Sequence, residues 1–247
     1  MSVENKASFG GRWVVRVAAW AWLIAGTALN PAWAGSFKIN PVHINLPRDR
    51  QAASLTITNS DASPVSIRVV ALAWTQVKGV DVHTPTNNVI ASPPIFTIPA
   101  GKTQLVRIGL KKRDDVGAYR VIFEEIPQQL QIDGQIQVAL RLDLPLYVLP
   151  ARGGKADVRW RAWRDEAGEL VIEGSNAGSL HAQVVGLTAQ SGANDNELSQ
   201  QMGVVLPNST RIWKIGKGPD LKLGAPFILK ARGPAGETQT QISLDQR

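Results

Sequence analysis

From Phe37 onward the chain is a succession of short alternating apolar runs, each closed by a turn signal. No long stretch past residue 34 sustains apolar residues at i, i+3, i+4 and i+7. Successive strand side chains point to opposite faces, so this rhythm demands sheets and leaves helices little place. The runs are Phe37–Ile39, Val42–Leu46, Leu55–Thr58, Val65–Thr75, Ile95–Ile98, Gln104–Leu110, Tyr119–Ile126 and a long one from Gly134 to Pro150. Lys78-Gly79, Pro99-Ala100-Gly101 and Asp133-Gly134 punctuate them. About seven strands in about 115 residues is the spacing of an immunoglobulin-like sandwich. Pro150-Ala151-Arg152-Gly153-Gly154-Lys155 then has the composition of a hinge. Beyond it the rhythm resumes: Val158–Trp163, Glu169–Glu173, Ala182–Leu187, Val204–Leu206, Thr210–Ile215, Phe227–Ala231 and Thr238–Leu244. Ser191–Gln201 reads as a polar loop. The expected fold is all-β: two immunoglobulin-like β-sandwich domains in tandem, residues 35–150 and 151–247, joined by a short hinge.

The first 34 residues read as a secretory signal peptide. Lys6, Arg12 and Arg16 form a basic start, VAAWAWLIAGTAL a short apolar centre, and Ala32-Trp33-Ala34 a small-x-small cleavage site. The apolar centre is short for a membrane anchor, and Asn30-Pro31 breaks it. The reading implies an exported protein. There are no cysteines, so stability rests on ordinary cores, and thiolate metal sites and cysteine nucleophiles are excluded. The net charge is +7, of which Lys6, Arg12, Arg16 and Glu4 supply +2. The basic residues are scattered, and the one dense group, Lys111-Lys112-Arg113, is followed by Asp114-Asp115. That pattern favours solubility over nucleic-acid binding.

Motifs for catalysis fail. Gly101-Lys102-Thr103 lacks the preceding glycine of a phosphate loop, Phe96 standing in its place, and a strand follows where a helix is needed. His43, His83 and His181 are each isolated, without metal-ligand spacing. No G-x-S-x-G occurs. Glu124 and Glu125 are adjacent on a strand and face opposite ways, which calls for burial or pairing of one of them. The expectation is a protein without enzymatic activity, metal, cofactor or small-molecule substrate.

The run from Gly134 to Pro150 is unusual. Its even positions are Ile136, Val138, Leu140, Leu142, Leu144, Leu146 and Val148, while Gln135, Gln137, Arg141 and Asp143 face the other way. It is about twice the usual strand length. Pro145 cannot donate to a ladder and belongs at an edge or a bulge. A long edge strand with an aliphatic face invites pairing with another chain, and that hazard is also a mode of recognition, strand addition to a partner's sheet.

With FKINPV at 37–42, ASPPIFTIPAGKTQLVRIGL at 91–110, YRVIFEEIP at 119–127 and this long run, the mature chain resembles the PapD-like periplasmic pilus chaperones. PPIFTIP and DLPLYVLP resemble the archaic branch, which serves subunits of the spore coat protein U type. The resemblance implies donor-strand complementation: the chaperone lends a strand to pilus or coat subunits that lack their own last strand, then passes them to an outer-membrane usher. Ile136, Val138, Leu140 and Leu142 fall on the donor positions, each burial contributing about 1.5–3 kcal/mol before the costs of association. The family's two cationic anchors for the subunit's C-terminal carboxylate fall on His43 and Pro145, and its arginine near the end of the donor strand on Leu149. The anchor must therefore come from elsewhere, with Arg107 and Arg120 as candidates, because arginine can grip a carboxylate bidentately. The competing role for Arg107 is an ion pair with Glu124 or Glu125.

Two rivals remain at this point. A secreted carbohydrate-binding sandwich would need a tryptophan platform, but Trp160 and Trp163 face opposite sides of one strand, which suits core packing. A pilus subunit would be one incomplete domain with an N-terminal extension, unlike this two-part chain.

Overall fold

The computed structural model describes residues 37–47, 49–112, 117–127, 138–150, 153–192 and 194–246; the signal-peptide reading and Ile136 lie outside them. Among the described residues every regular element is a strand. The first group is β1 (Phe37–Asn40), β2 (Ile44–Leu46), β3 (Ala52–Asn59), β4 (Val65–Val77), β5 (Val80–Pro85), β6 (Val89–Ser92), β7 (Ile95–Ile98), β8 (Thr103–Leu110), β9 (Gly117–Glu125) and β10 (Arg141–Val148). The second is β11 (Val158–Arg164), β12 (Leu170–Asn176), β13 (Ala182–Val184), β14 (Gly186–Ser191), β15 (Asn194–Ser199), β16 (Gly203–Val205), β17 (Ser209–Gly216), β18 (Pro226–Gly233) and β19 (Gly236–Asp245).

In the first group, a sheet ordered β1-β3-β8-β6 faces one ordered β2-β10-β9-β4-β5, with β7 pairing β4. Phe37–Ile39 and Val42–Leu46, read as separate runs, fall in different sheets, and a strand at Val89–Ser92 that the alternation did not mark precedes the run at Ile95–Ile98. The chain leaves the first sheet as β1 and joins the second as β2 across Pro41; it does the same from β6 to β7 across Pro93. A proline lacks the N–H that a continuing ladder needs, so each is a natural place to change sheets. The alternating inner faces meet in a core that includes Leu55, Ile57, Ile67, Val106, Ile108, Phe123 and Leu146.

The second group forms a sheet ordered β15-β14-β18-β19-β11-β12-β17 and a small β13-β16 pair. Its core packs Trp160 against Trp213 at 5.6 Å between ring centroids, around Ile172, Leu187, Phe227 and Leu229. Trp163 is buried as well. All-β architecture with two immunoglobulin-like sandwiches is thus the fold. The polar stretch expected as a loop at 191–201 is largely strand β15, which pairs with β14 and anchors Asp195 on Lys230 at 2.8 Å. Its polarity reflects an edge position, where only Leu198 turns into the core.

The sequence shows no repeat between the halves, yet both use one device. Asn59 and Asn176 are fully buried at strand ends. The amide of Asn59 donates to Ser63 O and Ile98 O, and its oxygen accepts from the Asp61 N–H. Asn176 donates to Leu180 O and Val205 O and accepts from the Gly178 N–H. Each closes an Asx turn and ties it to a distant strand, leaving no buried polar atom of the amide without a partner.

Candidate functional site: an open strand edge beside a cleft

Strand β10 has two different halves. It pairs with β9 along its whole length, Arg141↔Glu124 to Val148↔Gly117. On its other side β2 covers only Leu146, Tyr147 and Val148. The edge of Arg141–Pro145 is therefore unpaired among the described residues. The Glu125 N–H donates to Leu140 O (2.9 Å), so even-numbered residues bond to β9 and the backbone groups of Arg141, Asp143 and Pro145 point to the free edge. Pro145's missing N–H thus falls where no ladder bond exists to be lost.

The aliphatic face changes along the same line. Leu144 and Leu146 are sealed in the core. Leu142 and Leu140 are partly buried at its rim, and Val138 is 64% exposed. Ordered ladder pairing begins at Arg141, later than the sequence rhythm suggests, because β9 ends at Glu125 and offers nothing further to pair with. Leu140 is still held from both directions, its own N–H donating to Glu125 Oε2 at 3.1 Å. Glu124 pairs with Arg68 at 2.7 Å and with Arg141 at 3.7 Å. Both adjacent glutamates have partners, and Arg107 is neither's.

Of the two candidate anchors, Arg107 sits exposed on β8, in the sheet opposite β10, beside Ser54 and Ser92. Arg120 lies directly across the ladder from Pro145. Its Nε donates to Asp143 Oδ1 at 2.8 Å, and its guanidinium stacks over Trp74 at 5.0 Å. His43, Arg120, Asp143, Pro145 and Tyr147 border one cleft of about 830 Å³ between the two sandwiches. The two positions that the family resemblance marks for anchors, His43 and Pro145, therefore share this cleft with Arg120, one strand away from Pro145.

A polar hub ties the two sandwiches together. Asp81 on β5 accepts from Trp74 Nε1 (3.0 Å), Gln76 Nε2 (2.8 Å) and the Arg211 guanidinium of β17. Burial pushes the Asp81 carboxyl up, but these three donors and the Arg211 charge outweigh it and hold it below the usual range. Gln76 also donates to Val204 O and accepts from the Leu206 N–H. At the β4–β5 turn, Gly79 has φ +79° and accepts from the Ile212 N–H, and a Cβ there would lie 2.4 Å from Ile212 Cγ1. Only glycine fits so close a contact in that conformation. Leu149, where the family resemblance expects a charged residue, packs instead against Trp74, Tyr147 and Leu206. Among the described residues, Asp81–Arg211 is the ion pair between the sandwiches.

On the far side of the cleft His181 stacks on Tyr147, centroids 3.6 Å apart. Burial, and then His43, hold the His181 imidazole below its ordinary range. Burial pushes the Tyr147 phenol up to about 12, Arg120 opposing and Asp81 adding to the shift. None of this hub was legible from spacing: its members come from several strands and the loops between them, and isolated residues carry no local pattern.

These features define a class: a two-sandwich all-β protein whose central strand runs out of its own core and along an open edge at the mouth of a cleft. Residues 36–153 match the family described as pili and flagellar-assembly chaperone, PapD N-terminal domain. Over that segment the chain resembles the PapD-like pilus-assembly chaperones, a chaperone family and not an enzyme family. An uncharacterised fimbrial chaperone of Escherichia coli K12, YhcA, is 27% identical over 128 residues, 50% of this chain and 54% of that protein, so the match spans about half the relative's length. Among solved structures, the CsuC–CsuE chaperone–tip subunit complex of archaic Csu pili from Acinetobacter baumannii aligns with TM-score 0.65 and 17% identity, over 86% of this chain and 100% of that one. The SafA pilin–SafB chaperone complex of Salmonella enterica aligns with TM-score 0.58 and 13% identity, over 85% of this chain and 96% of that one. At these identities the structural likeness is one of fold.

Proposed function

We propose that this protein is a periplasmic chaperone that binds pilus or coat subunits by donor-strand complementation and delivers them to an outer-membrane usher. The division into a chaperone domain, 35–150, and a second sandwich, 151–247, follows the two cores. The observation that carries the reading is the half-covered β10: a free backbone edge at Arg141–Pro145, with aliphatics emerging from Leu142 through Leu140 to Val138. An incomplete subunit sheet can pair with that edge and receive Ile136, Val138, Leu140 and Leu142 in its groove. No nucleotide or metal is required, since the driving force is apolar burial plus main-chain hydrogen bonds. Arg120 is the anchoring cation on the donor-strand side, displaced across the ladder from Pro145.

The test is co-expression with candidate pilus or coat subunits. Replacing Ile136, Val138 and Leu140 with serine should abolish co-purification of the subunit while the protein stays soluble. Capture that survives intact overturns the donor assignment. Arg120→Ala should weaken capture with little change in melting temperature. A large loss of stability without any partner would make Arg120 a structural residue of the Trp74–Asp143 contact instead.

A further inference from the structure

The second sandwich does not close where it meets the cleft. β11 pairs with β12 along its whole length, Val158↔Asn176 to Arg164↔Leu170, but with β19 only at Ala162↔Leu244 and Trp163↔Asp245. Carried on in the same parallel register, that ladder would set Val158 opposite Thr240. No such pairing forms, and both residues border the cleft. Strand side chains alternate, so Val158 and Trp160 share the face of Ala162, which is sealed in the core. The cleft therefore enters between the layers of the sandwich.

What it meets there is apolar. Val158 and Trp160 of β11, Ala182 and Val184 of β13, Val204 of β16 and Ala231 of β18 line this end. Trp160, Val184 and Ala231 belong to the buried core itself, and Val158 and Ala182 pack against it. β13 and β16 form their own two-stranded sheet, so no backbone ladder closes the gap from that side.

The rim is charged. Arg120 borders it from the first sandwich and the exposed Arg232 from the second. Among the described residues that line the cleft, Asp143 is the one acid, and it already accepts from Arg120 Nε. With the histidines neutral, two arginines against one aspartate leave one positive charge at the mouth of an apolar recess.

We propose that the open end of the second sandwich binds the hydrocarbon chain of an anionic single-chain amphiphile of the fatty-acid class, its tail between Val158, Trp160 and Val184 and its head at the arginine rim. This goes beyond the chaperone reading and does not depend on the donor strand. The inner end of the recess is alkyl and indole surface, which favours hydrocarbon. The unmatched positive charge at the rim favours an anionic head over a neutral one. The whole cleft, about 830 Å³, has the size of a small-molecule site.

The test is displacement of a fluorescent fatty acid, dansyl-undecanoate, by octanoate, dodecanoate and dodecanol, each below its micellar concentration. Dodecanoate should displace the probe. Octanoate should do so at least about tenfold more weakly, having lost four methylenes, and dodecanol about fivefold more weakly, having lost the charge. Arg232→Gln should weaken dodecanoate but not dodecanol. Thr240→Trp, which fills the split from β19, should abolish probe binding, and Val158→Ser should weaken it about tenfold, with melting temperatures showing that each variant is folded. A dodecanoate brominated at its far end should quench the tryptophan emission of the protein, and that of Trp160→Phe less. The double change Val138→Ser/Leu140→Ser should leave probe binding as it is. No displacement by dodecanoate, or undiminished probe binding in Val158→Ser and in folded Thr240→Trp, overturns the site. Loss of binding in the Val138/Leu140 variant moves the probe to β10 and overturns it as well. Dodecanol that matches dodecanoate in the unsubstituted protein overturns the anionic head.

Discussion

The two ends of β10 carry one sequence pattern and lead different lives. Leu144, Leu146 and Val148 sit between β9 and β2 and face a closed core. Val138, Leu140 and Leu142 continue the same aliphatic face where β2 is absent, the two leucines half-buried and Val138 exposed. The difference teaches that periodicity sets which way a side chain points but not whether anything waits there. The closed end holds the strand in place; the open end can then be offered to a partner without unfolding its owner.

The largest effect that separates the two ends belongs to Leu146. Its fully buried side chain makes Leu146→Ala expected to cost about 2–5 kcal/mol in urea unfolding. A cost below about 1 kcal/mol would erase the distinction between closed and open halves. Acid acts next, through the Tyr147–His181 stack at the closed end. His181 titrates below 6.5 in the folded protein, so the stability it contributes is complete above that value and fades as pH falls through its folded pKa. The groups that bear on the stack are His43, Tyr147 and, through Tyr147, Arg120 and Asp81. Melting temperatures of the unsubstituted protein and His181→Phe should diverge in their slopes below pH 6.5, the variant being flatter; parallel curves would remove His181 from the account. At the open end Val138→Ser should change stability by no more than about 0.5 kcal/mol, as for an exposed site, even as subunit capture falls. The smallest change in stability is expected for Pro145→Val, which adds an N–H to an edge that has no partner. Its signature lies in sedimentation, where a newly complete donor edge should increase self-association.

Much of the fold was readable in the chain, because strand alternation and turn residues are local. The runs at 65–75, 104–110 and 119–126 all became strands within a residue or two. The failures have local causes as well. A proline between two runs does not reveal that the chain crosses to the opposite sheet, as at Pro41 and Pro93. The polar β15 lacks the apolar face by which strands are recognised, because at a sheet edge little of it needs burying. The candidate site was half readable. Leu140 and Leu142 announced themselves by alternation, and Arg120 by its charge beside an apolar ladder. His181 and the Asp81–Arg211 pair had no signal, since each gains meaning only from a neighbour distant in the chain.

By itself, the sequence determined an all-β chain in two parts and the aliphatic face of one overlong strand, because those follow from side-chain alternation between neighbours along the backbone. Tertiary structure alone decided that β2 stops short of Pro145, that Arg120 stands across from that proline, and that two sandwiches meet around a cleft. Those are contacts between residues remote in sequence, and pairing of that kind is chosen by packing of the whole core.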